Sequence, residues 1–411
     1  MDKIFFVDPL TSSTYSYERL FDDLRGAKDY LPIVYSGDYY EIFRHIILSI
    51  LLGKAIQILD YDFTESELDA LLGKGRQVDE RLPIQSKLEV RAADELKMSI
   101  LTSKNWHISL FTSGTTGIPK KVTHSIGTIT RATRVGDAHR DDVWGFAYNP
   151  THIAGLQVFF QAILNGNPMI RLFGLSRERV LEEIERHGIT NISATPTFYR
   201  LLIPIEKGAL GVKRVTSGGE KIDSSLRASL GKAFPNAKFL NVYASTEAGT
   251  VFASEDEFFT IDEPLKESIK IENNELFIRS SLMGGSEQIA VGSTWYATGD
   301  IVELISENPL KIRFLSRKVE IINVGGYKVD PNEVEEVILS HKGILEVLVY
   351  SKSNSVIGNV VCADVVRSDP SVTVPQIIQR LRTRLQEFKI PRVVNFVDSI
   401  ERTRTGKKSR R

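Results

Sequence analysis

Along the first two thirds of the chain, stretches with apolar residues at helical spacing alternate with short continuous apolar runs. The helical stretches are Tyr15 to Leu24, Glu41 to Leu52, Ser176 to Arg186 and Phe198 to Ile203. The strand-like runs are Pro32 to Tyr35, Ala55 to Leu59, Ile108 to Phe111, Asn191 to Ala194 and Arg214 to Thr216. Thr64 and Asp223 stand where N-caps belong, before helices reaching Leu72 and Phe234, because their side-chain oxygens can take up a free N–H of the first turn. Strand and helix in turn predict an α/β fold of parallel sheets covered by helices.

The pattern changes after Glu247. Glu275 to Ser280, Thr294 to Tyr296, Ile301 to Ile305 and Lys311 to Leu315 read as short strands joined by turns, a small β subdomain. Past Arg317 a new α+β unit begins. Asp330-Pro331-Asn332-Glu333 is a helix start in which Asp caps, Pro fits the first position and Glu can reach back. Strands follow near Glu346 to Tyr350 and Val360 to Val366, and Thr373 caps a helix to Phe388. The chain carries no internal repeat and no low-complexity linker.

Composition narrows the class. The 411 residues suffice for a large core and more than one domain, and 42% apolar with 25% charged residues is ordinary for a soluble globular protein. Lys plus Arg equals Asp plus Glu at 52 each, which leaves no electrostatic case for nucleic acid or an acidic membrane. The one basic cluster, Thr403 to Arg411, is short and terminal. Cys362 is the only cysteine, so no internal disulfide forms; this fits a reducing compartment, and a cytoplasmic location is expected. The most apolar stretch, Ile42 to Leu59, is interrupted by Arg44, His45 and Lys54, so no membrane insertion is expected where about 20 apolar residues would be needed.

The most informative segment is Thr112-Ser113-Gly114-Thr115-Thr116-Gly117-Ile118-Pro119-Lys120-Lys121, directly after a strand-like run. Glycines let the backbone approach a polyphosphate, N–H groups and hydroxyls donate to its oxygens, and lysine adds charge. The common nucleotide loop G-x-x-x-x-G-K-[ST] is absent, as is G-x-G-x-x-G after a strand. The string resembles the signature loop of the adenylate-forming superfamily, which includes acyl-CoA synthetases, aryl-CoA ligases, luciferases and adenylation domains of peptide synthetases. Further matches follow in family order as far as Lys407.

The resemblance implies roles residue by residue. Asn149 to Gly155 resembles the segment beside the acyl pocket, with His152 as gate to the carboxylate site. Ser217-Gly218-Gly219-Glu220 matches the turn bordering adenine and the acyl group. In Asn241-Val242-Tyr243-Ala244-Ser245-Thr246-Glu247, Tyr243 is expected near adenine, Thr246 on the α-phosphate and Glu247 on Mg²⁺, with Asn241 and Ser245 lining the nucleotide. Ala244 replaces the usual glycine at the pocket base, so an acyl pocket of His152, Ile153, Thr195, Ser217 and Ala244 is expected to favour a short acid.

Tyr296-Ala297-Thr298-Gly299-Asp300 matches the element whose carboxylate accepts both ribose hydroxyls. Phe314 and Arg317 match nucleotide contacts, and Val319 stands at a hinge commonly Asp or Lys. Gly325, Gly326 and Tyr327 resemble the hairpin lining the thiol tunnel, and Lys407 matches the catalytic lysine. The family pattern divides the chain into 1–316, an N-terminal adenylation domain, and 317–411, a mobile C-terminal lid.

The implied chemistry joins two anions, so positioning and charge neutralisation dominate, and no general base is needed for an ionised carboxylate. A carboxylic acid and ATP·Mg²⁺ form an acyl-adenylate and pyrophosphate, and the acyl group passes to CoA or to a carrier-protein phosphopantetheine. An amino-acid adenylation domain fits less well, because Ile153 stands where those domains place an aspartate. The alternative of another class is a non-catalytic nucleotide or acyl-ligand binding protein; Thr116, Glu247, Asp300 and Lys407 argue for the enzyme.

Overall fold

The computed structural model describes residues 3–73, 78, 80–112, 120–206, 208–220, 222–286, 293–324, 327–354, 358–385, 387–402 and 408. Its largest sheet has eight strands. Across it run Gly249–Ser254, Lys238–Ser245, Arg214–Gly218, Asn191–Ala194, Trp144–Phe146, Met169–Arg171, Ile4–Asp8 and Ser13–Ser16. The six inner strands are parallel and the two edges antiparallel. A second sheet orders Gly285–Ser286, Lys120–Ser125, His107–Thr112, Ile56–Leu59 and Ile33–Tyr35, the last three parallel. A third, antiparallel sheet orders Phe258–Thr260, Leu310–Arg317, Trp295–Glu307, Glu275–Arg279 and Ile269–Glu272.

The helices start where the caps predict. Thr64 accepts the Glu67 N–H while Glu67 accepts the Thr64 N–H, closing a capping box on Glu65–Leu72. Ser176 caps Arg177–Arg186, Asp223 caps Ser224–Ala233 and Asp330 caps Pro331–Leu339. Glu333 receives Lys389 Nζ at 2.7 and 2.8 Å.

Four boundaries differ from the pattern reading. The stretch from Tyr15 is strand to Ser16 and helix only from Tyr17, because Ser16 pairs with Ile4 and its hydroxyl caps Arg19 N–H. Residues 249–254, left unassigned by the pattern, form the antiparallel edge of the largest sheet. Trp295, Tyr296 and Ile301 to Ile305 belong to one strand, Trp295–Glu307, which starts just after Thr294, with Gly299 at φ +73° and shifts in register beyond it. Glycine there bends a continuous strand as a bulge would, where the pattern suggested a turn. The helix capped by Thr373 ends at Arg382, six residues earlier than Phe388.

Aromatic residues dominate the main core. Phe43, on Tyr39–Leu51, stacks on Phe159 at 4.8 Å, and both are fully buried beside Phe146 and Phe160. Trp106 donates its indole N–H to Ser49 Oγ at 2.9 Å, and Ser49 donates to the Ile46 carbonyl, so this polar pair is satisfied inside the core. One hydrophobic cluster draws only on residues from Ile322 onward: Ile322, Val329, Val334, Val347, Val361 and Leu381 are among its members. Among the described residues, no helix is long and apolar enough to cross a membrane.

His45 lies in the core at 1% exposure, and burial together with the adjacent Arg44 guanidinium holds its pKa down at about 4, from an ordinary 6.5. Between those values the unfolded chain binds the proton and the folded chain does not, so the contribution is full above pH 6.5 and is lost as pH falls towards 4. Denaturant titrations across this window are expected to show wild-type stability falling with a steeper slope than His45→Gln, by up to about 1.4 kcal/mol per pH unit. Equal slopes would contradict the assignment.

Candidate functional site

Parallel strands leave their sheet at carboxyl ends, where open α/β sheets place ligands. The expected site residues cluster in sequence just past those ends. Asn149 to His152 follow Trp144–Phe146, Thr195 follows Asn191–Ala194, Gly219 and Glu220 follow Arg214–Gly218, and Thr246 and Glu247 follow Lys238–Ser245. In the second sheet Asp60 follows Ile56–Leu59, and Thr112 ends His107–Thr112, where it pairs with Lys120. Ser113, Gly114, Thr115, Thr116 and Gly117 lie outside the described residues, as do Gly325, Gly326 and Lys407.

The tightest grouping joins the largest sheet to the third. Asp300 is 2% exposed. Tyr243 donates its hydroxyl to Asp300 Oδ2, Arg317 Nε donates to Oδ1 at 2.9 Å, and the Asp300 N–H donates to Thr298 Oγ1 at 3.0 Å. Asp300 and Arg317 are register partners on adjacent antiparallel strands, so the ion pair follows from the pairing itself. Burial and the Asp300 charge raise the Tyr243 pKa well above its ordinary value, which keeps it a donor. Around its ring stand Phe252 at 5.5 Å, Phe259 at 6.4 Å and Phe314 at 6.4 Å. Tyr296 is pushed up to about 12 by burial and by the charge of Glu247, and Glu247 also acts on Arg317. Glu247 is therefore near enough to Tyr296 and Arg317 for its charge to act on both.

The strands that flank the turn of Gly218 and Gly219 are in register, Ala194 beside Ser217 and Ser217 beside Asn241. Gly219 adopts φ +83°, a conformation that favours glycine, and a Cβ on Gly218 would meet the Val242 carbonyl at 3.2 Å. Glu220 accepts from Thr197 Oγ1 at 2.8 Å, and Thr195 caps the helix Pro196–Leu202 by accepting the Phe198 N–H. Asn241 donates to the Asp256 carbonyl at 3.2 Å, and Ser245 Oγ accepts the Ala248 N–H at 3.1 Å. Ala244 lies at a register shift opposite Thr250. Ile153 opens the helix Ile153–Ile163 and is buried in the main core. Val319 lies in the single turn Lys318–Glu320.

Several residues of this region were not evident in the sequence. Asp60, 6% exposed, accepts Asn149 Nδ2 at 3.3 Å and lies 3.8 Å from His152 Nε2. Burial pushes its carboxyl up, but the nearby His152 imidazole and the bonds from the Asp62 N–H and Asn149 outweigh it and hold the pKa below the ordinary value. Asn149 also accepts from the Thr151 N–H and hydroxyl, and a Cβ on Gly155 would meet the Asn149 carbonyl at 2.4 Å. The helix carrying His152 at its start can approach this turn only because residue 155 is glycine. His124, fully buried, donates from Nε2 to the Thr246 carbonyl at 2.7 Å. Arg131 donates to the carbonyls of Ala248, Thr250 and Leu282. No motif string marks these residues; each is linked to the site only through the folded chain.

Near the carboxyl terminus, Lys408 Nζ pairs with the buried Glu335 at 3.1 Å and donates to the Val347 carbonyl, while Arg402 pairs with Glu346 at 2.6 Å. Lys408 is thus committed to the interior of its own unit.

Residues 55–275 match the model of the AMP-binding enzyme family, and residues 333–407 match the AMP-binding enzyme C-terminal domain. The chain belongs to the AMP-binding enzyme family. It is similar to 4-hydroxybutyrate–CoA ligase 1 of Metallosphaera sedula, 27% identical over 342 residues that make up 73% of this chain and 60% of the relative. A 2-succinylbenzoate–CoA ligase of Bacillus velezensis is 28% identical over 329 residues, 72% of this chain and 66% of the relative. The chain thus spans less than two thirds of these relatives' lengths. Among solved structures, o-succinylbenzoate CoA synthetase (MenE) of Bacillus subtilis, in complex with ATP and magnesium ion, superposes with a TM-score of 0.70 at 20% identity, covering 99% of this chain and 95% of that one. The family fold is accordingly shared almost end to end.

The Asp300 grouping yields a stability test. Tyr243→Phe removes one hydrogen bond to a buried carboxylate and is expected to cost about 1.5–3 kcal/mol in urea denaturation. A loss below about 0.5 kcal/mol, the scale of an ordinary surface change, would show that the bond does not support the fold.

Proposed function

We propose that the protein activates a carboxylic acid with ATP, releases pyrophosphate, and passes the acyl group from the acyl-adenylate to the thiol of CoA. The observation that carries this reading is that Tyr243 and Arg317 both bond the buried Asp300, with Tyr243 on the strand that leads directly into Thr246 and Glu247. The CoA-ligase relatives support the acid and the thiol acceptor. The buried, unpaired Cys362 fits a cytoplasmic site of action.

In this reading residues 1–316 bind ATP and the acid, and residues 317–411 form a lid turning about Val319. Asp300, paired with Arg317 and oriented by Tyr243, accepts the ribose hydroxyls. Adenine lies near Tyr243, against Gly218, Gly219 and Glu220, with Asn241, Ser245 and Phe314 beside it. Thr112 to Gly117 and Lys120 wrap the phosphates, and Thr246 holds an α-phosphate oxygen. Glu247 would hold Mg²⁺. Among the described residues no cluster of three or more His, Cys, Asp or Glu forms a protein cage, and a single carboxylate fits a cation that takes its other ligands from phosphate and water. Bound there, Mg²⁺ would supply positive charge against the pyrophosphate.

His152 gates a pocket of Ile153, Thr195, Ser217 and Ala244, where the carboxylate is held in line with the α-phosphorus. Its oxygen bonds to that phosphorus as the bond to the pyrophosphate oxygen breaks, and the electron pair leaves with pyrophosphate. Lys407 bridges the carboxylate and the α-phosphate. Its neighbour Lys408 is held by Glu335, which supports 407 as the reacting position. In the second step the lid presents Gly325, Gly326 and Tyr327 to the pantetheine arm, the thiolate attacks the acyl carbon, and AMP leaves.

Exchange of labelled pyrophosphate into ATP with a panel of short, aromatic and long-chain acids tests the first step. Lys407→Ala is expected to lower exchange by about a hundredfold or more, while ATP affinity stays within a few fold, because its contacts strengthen in the transition state. Ala244 predicts preference for short acids. Thioester formation with CoA, assayed against a phosphopantetheinylated carrier protein, identifies the acceptor. Absence of exchange with every acid, or an undiminished Lys407→Ala enzyme, would overturn the proposal.

A further inference from the structure

Three successive carbonyls of the turn that carries Thr246 and Glu247 are each taken by a donor from a different part of the chain. The Thr246 carbonyl accepts from His124 Nε2 at 2.7 Å. The Glu247 carbonyl accepts the Gly284 N–H at 2.6 Å. The Ala248 carbonyl accepts from Arg131 Nη2 at 2.5 Å, and the same guanidinium reaches the carbonyls of Thr250 at 3.2 Å and Leu282 at 2.8 Å.

The donors are themselves locked together. A carbonyl oxygen only accepts, so the imidazole proton is on Nε2, and Nδ1 faces the Thr128 hydroxyl at 3.3 Å. Burial lowers the pKa of His124, which keeps the ring neutral. A Cβ at position 284 would come within 2.8 Å of both His124 Cε1 and the Thr123 carbonyl, so only glycine lets this peptide reach past the ring to Glu247. Gly285 then pairs with Thr123, which makes the Gly284 N–H an extension of the second sheet. His124 is on Lys120–Ser125, the strand that the phosphate loop enters.

We propose that His124, Gly284 and Arg131 clamp the backbone of Thr246, Glu247 and Ala248, fixing the phosphate-binding hydroxyl and the metal-binding carboxylate relative to the strand Lys120–Ser125. His124 and Arg131 are positioning residues, since they act through the turn. Fixing three consecutive carbonyls fixes the peptide planes between them, and with them the directions of the Thr246 and Glu247 side chains. Ordering a backbone costs conformational entropy, and here that cost is met on folding, before any nucleotide binds. His124 and Gly284 supply their bonds without charge, so neither places a cation against the Glu247 carboxylate.

The inference rests on the proposed adenylation. Its test compares wild type with His124→Phe, which loses the donor, His124→Gln, whose amide can restore it, and Arg131→Met. Two quantities are measured: the Mg²⁺ dependence of pyrophosphate exchange, and calorimetric binding of ATP with and without Mg²⁺. His124→Phe and Arg131→Met are expected to lower kcat by about tenfold to a hundredfold and to raise the half-saturating Mg²⁺ concentration, with the KM for the acid unchanged. His124→Gln is expected to regain most of the loss. Mg²⁺ dependence identical to wild type per folded molecule, or loss in His124→Phe that His124→Gln does not relieve, would overturn the clamp. A wild-type protein that binds ATP·Mg²⁺ but exchanges with no acid would sink the adenylation reading alone; the clamp is then judged by the Mg²⁺-dependent part of ATP binding.

Discussion

The hydrogen bond from His124 to the Thr246 carbonyl joins two sheets whose strands end at the same corner of the molecule. Parallel strands must release the chain into loops there, and each loop carries backbone groups that no strand partner satisfies. Left to water, such loops would be mobile. Here the phosphate-loop strand reaches across to satisfy the turn of the other sheet, and the Gly284 peptide does the same one residue later. The stiffness of the corner thus follows from ordinary polar satisfaction of buried backbone.

Charge is the second organising feature, and it depends on the first. Asp300 is almost fully buried, a costly position for a carboxylate unless cations and donors surround it. Strand pairing brings Arg317 to it, and the third sheet packs against the first so that Tyr243 completes the set. Tyr243 belongs to the same strand as Ser245, immediately before Thr246 and Glu247. One strand therefore delivers both the group that orients Asp300 and the turn that bears the proposed metal ligand.

What could be read from the sequence was what is written locally. The N-caps at Thr64, Asp223 and Asp330 act within four residues and stand where the pattern placed them. Tyr243, Asp300 and Arg317 were singled out by separate strings of one resemblance, and the fold brings those three side chains together. Gly299 misled because glycine serves turns and bulged strands alike, and only pairing with Leu310–Arg317 decides between them. Asp60, His124 and Arg131 were invisible for a related reason. Each is a single polar residue in an otherwise ordinary segment, and its partner lies 89 to 122 residues away. His124 reads as one polar position in an alternating strand until the Thr246 carbonyl is set against it.

A metal held by one protein carboxylate makes this rigidity more than a matter of stability. In a cage of several side chains, an error in one ligand is shared among the others. With Glu247 as the proposed single ligand, the position of the cation relative to the protein is set by one side chain, and Mg²⁺ demands near-ideal octahedral geometry. A site so sparsely held must obtain its accuracy from the backbone beneath it. Three consecutive carbonyls bound from three directions provide that accuracy, and two of the three donors are neutral, so they steady the carboxylate without competing for its charge.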